Sequence, residues 1–327
     1  MRVFVVGASG AIGTHLVPQL IGAGHVVIGT ARSSQRADQI RAQGADAVTL
    51  DLLDARAVHE VVRRIAPEAI IHEATAIADA RFGRSLDKAF VVTNRLRTEG
   101  TDALLAAARE GGVSRFVAQS FAPYRYAREG AWVKTEEEAL DPSPPPGTVR
   151  GHAAMRYLDE TVTAAGGIAL RYGGFYGGAK DGLVEPIRKR MFPIVGDGGG
   201  YLSFIHLDDA AAATVLALGH DRPGIYNIVD DDPAPIRDWL PVLAEAIGAK
   251  PPRRFPRWLA TLIAGAGNVI NATEARGASN VKAKRELGWT PRYPTWRQGF
   301  SAAYRGQPPK RSAAAAAISS GERSRMC

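Results

Sequence analysis

The apolar run Val3-Phe4-Val5-Val6 opens directly into Gly7-Ala8-Ser9-Gly10-Ala11-Ile12-Gly13, and apolar residues then recur at helical spacing as Leu16, Val17, Leu20 and Ile21. A buried strand that enters a Gly-x-x-Gly-x-x-Gly turn and leaves as a helix is the first half of a βαβ unit. Gly7 permits the tight turn, Gly10 lets the backbone approach a pyrophosphate, and Gly13 lets helix and strand pack closely. The loop amides, from Ser9 through Ala11 and Ile12, then face the anion at a helix start whose dipole adds to the attraction. A glycine pattern alone is a weak signal. Here a second strand, Val26–Ile28, follows the helix, as a dinucleotide fingerprint requires.

Further β-branched runs at Ala47–Leu50, Ala69–His72, Arg115–Gln119 and Ile168–Arg171 alternate with helical stretches such as Ala57-Val58-Val61-Val62-Ile65. Strands alternating with helices imply right-handed crossovers and a parallel sheet covered on both faces. The expected fold class is therefore α/β: a Rossmann-type doubly wound parallel sheet with a smaller, mixed C-terminal lobe. Residues 1–174 are assigned to the dinucleotide-binding domain and 175–305 to a substrate lobe partly interleaved with the sheet. Residues 306–327 carry no apolar pattern able to pack and are expected to form a disordered tail. Phe255–Ile270 is read as a buried helix of the small lobe, and the proline tract Asp141–Gly147 as a surface loop.

The end of the second strand decides which dinucleotide fits. An acidic residue there favours NAD. This chain has Arg32, whose guanidinium fork suits a 2′-phosphate, followed by Ser33. The expected cofactor is NADP, with NAD as the alternative. Asp51 and Leu52, after the third strand, are expected at the adenine.

The net charge of +8 raises the question of nucleic acid. Lys310, Arg311, Arg323 and Arg325 against Glu322 place part of it in the terminal segment, and the remainder is dispersed with no basic run interleaved with aromatics. No nucleic-acid partner is expected. The single cysteine, Cys327, excludes an intrachain disulfide and a cysteine-cluster metal site, and no metal is expected. The longest apolar run, Trp258–Ile270, is shorter than the ~20 residues a bilayer needs. No membrane association is expected, and the predicted location is cytoplasmic.

At this point the chain resembles the extended short-chain dehydrogenase/reductase group, the NAD-dependent epimerases and dehydratases. The resemblance covers residues 1 to about 300 and rests on ordered matches. These are the Gly7/Gly10/Gly13 loop, His72-Glu73-Ala74-Thr75-Ala76, Asn94, Ser120 with Tyr124, Leu170-Arg171-Tyr172 leading to Tyr176-Gly177, Phe204-Ile205-His206-Leu207-Asp208-Asp209-Ala210, and Glu286-Leu287-Gly288-Trp289-Thr290-Pro291. The resemblance implies a Rossmann fold with Ala74, Thr75 and Asn94 toward the cofactor and Ser120 toward a substrate oxygen. It also implies a homodimer.

One departure is central. The family's Tyr-x-x-x-Lys pair is absent, and its positions fall on His152 and Arg156. A cation one helical turn away favours the neutral imidazole, so His152 reads as a better base than acid. Arg156 stands where the lysine would bond the nicotinamide ribose, and Tyr124, Tyr126, Tyr157 and Tyr176 are candidate substitute acids. Relatives acting on sugar nucleotides bond the diphosphate through an asparagine and an arginine, whose positions here hold Gly174 and Leu202. A nucleotide sugar is therefore not expected. Phe82, Phe175, Tyr176 and Phe192 suggest a small or polycyclic organic substrate. Three activities fit these residues: an NADP-dependent oxidoreductase acting on a carbonyl or alcohol, a cofactor-binding dehydratase, isomerase or cyclase without net redox change, and a non-enzymatic NADP sensor.

Overall fold

Seven parallel strands form one sheet in the computed structural model, which describes residues 1–77, 83–178 and 182–304. The first five are β1 (Arg2–Val6), β2 (Val26–Ala31), β3 (Asp46–Thr49), β4 (Ala69–His72) and β5 (Arg115–Phe121), followed by Ile168–Tyr172 and Gly224–Ile228. Their spatial order is seventh, sixth, β5, β4, β1, β2, β3. This is the doubly wound order, with its switch point between β1 and β4, and ligands in such sheets bind outside the carboxyl ends of the strands there. Phe82 and residues 305–327 lie outside the described residues, so the tail and that substrate candidate have no structural account.

Burial on two faces explains why β1 is wholly apolar after its first residue. Val3 and Val5 join the core beneath α1 (Gly13–Gly22) and the helix Leu207–Leu218, through Leu16, Val17, Leu20 and Ala210. Phe4 and Val6 join the opposite core, formed with Val58, Val61 and Val62 of the helix Ala55–Ile65, Leu104, and Leu158 and Val162 of the helix Val149–Ala164. The helix Ala55–Ile65 starts where the Asp54 carboxylate accepts the Ala57 amide at 3.0 Å and ends at Ala66 in the left-handed region.

The C-terminal half is not separable from the sheet. The seventh strand pairs with the sixth from Gly224↔Ile168 to Ile228↔Tyr172. Trp289 is buried in the α1-side core, and its indole donates to the Asp209 carbonyl at 3.1 Å. The Asp209 carboxylate accepts the Arg292 and Tyr293 amides at 2.8 and 2.9 Å. The small lobe has its own core of Tyr176, Phe204, Trp239, Trp296 and Phe300.

The segment Phe255–Ile270 departs from expectation. It forms two helices, Arg257–Ala264 and Ala266–Glu274, broken at Gly265 where φ is 87°. Trp258, Leu262 and Ile263 are exposed, and on the first of these helices only Ala260 is buried. Its large apolar residues Trp258, Leu262 and Ile263 lie on the side of the helix that faces solvent, and the small Ala260 packs on the other. Among the described residues no helix is long and apolar enough to cross a membrane.

Gly13 is where the fold tolerates least change. A Cβ there would stand 2.3 Å from the Ala8 carbonyl oxygen. Gly13→Ala is expected to lower the urea-unfolding free energy by about 3 kcal/mol, the upper range for overpacking, because the opposing atom is backbone. An unchanged midpoint would contradict this packing.

Candidate functional site

The carboxyl ends of β1, β2 and β4 meet around the glycine loop. Gly7 has φ of 97°, and its N–H donates to the Thr30 hydroxyl at 3.0 Å. A Cβ on Gly7 would stand 2.7 Å from the Glu73 carbonyl carbon, so loop and β4 are in direct backbone contact. The Gly10 amide closes the turn onto the Gly7 carbonyl at 2.9 Å, and α1 starts at Gly13. Gly7, Ser9 and Gly10 are half-buried, Ala11 is exposed, and Ile12 is buried beneath. The first amides of a helix have no intrahelical acceptor. The surface above them thus presents N–H donors, and a side chain at position 10 would narrow it.

Other expected cofactor residues lie along the same edge. Arg32 and Ser33 are exposed after β2, and the Ser33 hydroxyl caps the following helix by accepting the Arg36 amide at 3.4 Å. Asp51 is exposed and folds its carboxylate onto the Leu53 amide at 3.0 Å, whereas Leu52 is buried against Gly100. Ala74 and Thr75 are half-buried after β4, where the Ala76 amide is held by the Thr93 hydroxyl at 3.1 Å. The Asn94 side-chain oxygen is buried with no hydrogen-bond partner among the described residues. These residues fit a dinucleotide: a glycine cradle, exposed cationic and hydroxyl groups beyond β2, and an orphaned amide oxygen further along.

Beneath the loop lies a carboxyl group the sequence did not single out for chemistry. Glu73 is 5% exposed, and burial pushes its pKa up to about 8 against the opposing pull of the Tyr172 hydroxyl, which donates at 3.1 Å. Gln119, in the amide orientation that satisfies both of its ends, donates to the Glu73 carbonyl and Oε2 at 3.1 Å each.

The positions expected to handle substrate fall around a second feature. Ser120, near the end of β5, is fully buried, and its hydroxyl accepts from Arg125 Nη1 at 3.0 Å. The same Nη1 reaches Asp159 Oδ2 at 2.8 Å, which Arg171 Nε also reaches at 2.8 Å. Tyr124, at the turn that brings Arg125 inward, has φ of 64°, a conformation costly for any residue with a side chain. Burial raises its phenol to about 12. Arg125 in turn lines a cavity of about 160 Å³ together with His152, Arg156, Asp141, Pro142 and Pro144. The proline tract, expected as a plain surface loop, thus forms one wall of that cavity.

His152 is half-buried, and its pKa falls to about 4, first through desolvation and then through the Arg125 charge. The cation that acts most on it is Arg125, not the expected Arg156, which stands exposed on the same helix. Asp141 and Asp87 oppose the shift and Arg128 adds to it. The ring is neutral at pH 7.

The remaining candidates lie elsewhere. Tyr176 is 1% exposed inside the small-lobe core, its ring edge-on to Phe204, His206 and Phe300, and burial raises its pKa. Phe175 packs on Tyr172 with ring centroids 5.5 Å apart, and Phe192 is exposed. Tyr126 is buried, donating to Asn227 Oδ1 at 2.8 Å, and Tyr157 is exposed, donating to the Asp102 carboxylate. Gly174 and Leu202 sit in short strands, with Leu202 buried in the lobe core.

The model of the NAD dependent epimerase/dehydratase family matches residues 3–229. The chain belongs to that family. It is similar to a 3-diazoavenalumate denitrifying reductase of a Streptomyces species, 39% identical over 309 residues, covering 92% of this chain and 99% of the relative. A 2-alkyl-3-oxoalkanoate reductase of Stenotrophomonas maltophilia is 27% identical over 263 residues, covering 76% of each chain. Among solved structures, the UDP-glucose 4-epimerase of Thermus thermophilus in complex with NAD superposes with a TM-score of 0.68 at 25% identity, covering 93% of this chain and 98% of that one. The epimerase/dehydratase family is thus represented here by an enzyme whose named relatives support an oxidoreductase.

Glu73 gives a signed pH effect. The unfolded chain releases this proton near 4.5 and the folded one near 8, so between these values the unfolded state binds fewer protons and stability falls as pH rises. Glu73→Gln keeps an acceptor for Tyr172 and removes the titration. The variant is expected to hold its melting temperature between pH 5.5 and 8 where the parent declines relative to it. Parallel melting curves would refute a neutral Glu73.

Proposed function

We propose that the protein is a pyridine-nucleotide-dependent reductase of a small organic molecule, that it prefers NADPH, and that His152 handles the proton in place of the family's tyrosine. The observation that carries the reading is the placement of His152, which the sequence register sets at the tyrosine position: it lines a cavity beside Arg125, the residue that also grips Ser120 at the end of β5. The 39% identity to a reductase along nearly the whole chain supports the redox assignment over a non-redox one.

The Gly7–Gly13 loop would hold the pyrophosphate on its amides, with Gly10 leaving room for close approach. Arg32 and Ser33 would take a 2′-phosphate; Ser33 accepts a hydrogen bond while its own hydroxyl hydrogen is available to donate. Asp51 and Leu52 would flank the adenine, and Ala74, Thr75 and Asn94 would follow the nicotinamide half. When bound, the reduced nicotinamide supplies a hydride. Arg156 stands where it can neutralise charge at the cavity mouth. Because His152 is neutral at working pH, it acts best as a relay: one ring nitrogen hands its proton to the substrate atom gaining charge while the other takes a proton from solvent. The proposed electrophile is a carbonyl or a comparable multiple bond. Gly174 and Leu202 offer neither amide nor cation to a diphosphate, which argues against a sugar nucleotide.

Two measurements test this reading. His152→Phe is expected to lower kcat for NADPH-dependent reduction at least about a hundredfold with little change in NADPH affinity, the range of a lost proton-transfer group. Arg32→Glu is expected to weaken NADPH binding at least about tenfold while leaving NADH binding unchanged or improved. Equal losses for both coenzymes would remove the basis for the NADP preference.

A further inference from the structure

The buried ion network beside His152 contains more cations than anions. Arg97, Arg125 and Arg171 are 6%, 1% and 3% exposed, and the carboxylate among them is Asp159, 1% exposed. Arg97 feels both Arg125 and Asp159, and burial lowers its pKa to about 10. Glu136 adds a negative charge on the Arg171 side, where its carboxylate accepts the Asn227 amide at 2.7 Å. On the Arg125 side, among the described residues, Asp87 and Asp141 act on His152, and the Asp87 carboxylate already accepts the Gly151 amide at 2.9 Å. Asp141, the one carboxylate on the cavity wall, is already held by Arg128 Nε at 3.0 Å and by the Ser143 amide at 2.9 Å.

Arg125 is also incompletely bonded. Nη1 serves Ser120, the Phe121 carbonyl and Asp159, whereas Nη2 is buried with no acceptor among the described residues. A guanidinium nitrogen left unpaired in the interior is expensive, and an anion that reaches it is correspondingly favoured. The cavity holding this residue at its floor has Arg156 on its rim and Leu140, Pro142, Pro144 and Val149 as apolar walls.

We propose that this cavity is an anion pocket for the substrate's carboxylate, with Arg125 Nη2 and Arg156 as donors and the proline wall against the attached hydrocarbon. At about 160 Å³ it has room for a carboxylate with a short unsaturated chain or one ring. The carboxylate seats on the two arginines, so the acid's multiple bond is the part presented to His152 and the nicotinamide. Naming the bound acid as substrate rests on the reductase reading; the pocket's preference for an anion does not.

The test is calorimetry on the full chain with cinnamate, methyl cinnamate and cinnamyl alcohol, each alone and with saturating NADPH. Cinnamate is expected to bind one per chain, and the ester and alcohol at least about tenfold more weakly. Arg156→Gln, at an exposed site that leaves the buried network intact, is expected to weaken cinnamate about tenfold and the ester hardly at all. Arg125→Lys keeps the charge and removes Nη2, and is expected to lose more. If that variant fails to fold by circular dichroism, Arg156→Gln decides alone. Bound cinnamate is further expected to raise the His152 pKa from about 4, read from its ring proton shift. Equal affinity for acid and ester, or cinnamate binding indifferent to Arg156→Gln, overturns the inference. Hydride transfer from NADPH to neutral carbonyls with no acid binding likewise overturns it and leaves the reductase reading standing. Acid binding as described, with no NADPH or NADH oxidation by any unsaturated, carbonyl or diazo acid, keeps the pocket and removes the reductase reading.

Discussion

Arg125 and Arg171 reach the same oxygen of Asp159, each at 2.8 Å and each from a different part of the chain. Arg125 comes from the turn after β5, Arg171 from the sixth strand, and Asp159 from the inner face of the helix Val149–Ala164. The turn that carries Arg125, the sixth strand and the helix that carries His152 are therefore fastened at one buried point, to which Arg125 also ties Ser120. Three desolvated charges cost several kcal/mol to assemble, and such a cluster is not a strong source of stability in itself. Removing one member is a different matter, since a stranded interior charge costs about 3–5 kcal/mol. The cluster's effect is positional: the helix cannot rotate without breaking it, so His152 faces the cavity.

That constraint also sets the surroundings of His152. A tyrosine acid requires a nearby ammonium to bring its pKa down, whereas an imidazole starts near neutrality and is carried further down by burial. The cation that acts most on His152 lies not one turn along the helix but across the cavity, on Arg125. In the glycine loop, Gly7 and Gly13 are demanded by backbone contacts with Glu73 and Ala8.

Much of the sheet was legible because its signals are local. An apolar run ending in glycine announces β1, and alternation with helical periodicity gives the crossovers. What escaped depends on contacts between distant residues. Arg125 follows Tyr124 in what reads as a loop, and nothing nearby marks it as buried. Asp159 did leave a trace, an acid within the stripe Met155, Leu158 and Val162, and an ionisable residue on an inward face is a signal that something opposite neutralises it. The buried reading of Phe255–Ile270 erred because an apolar run does not say which way a helix's apolar side faces, and here Trp258, Leu262 and Ile263 face solvent.

The seventh strand and Trp289 bear on how this chain can be divided. Residues far along the sequence complete a sheet begun at the amino terminus, and the indole of Trp289 closes the core beneath α1. A fragment ending near residue 174 would bare the flank of Ile168–Tyr172, leaving its main-chain donors and acceptors open to any passing strand. Synthesis of the amino-terminal half alone thus yields a sticky intermediate, and self-association is held off only once the carboxyl-terminal half has emerged and docked.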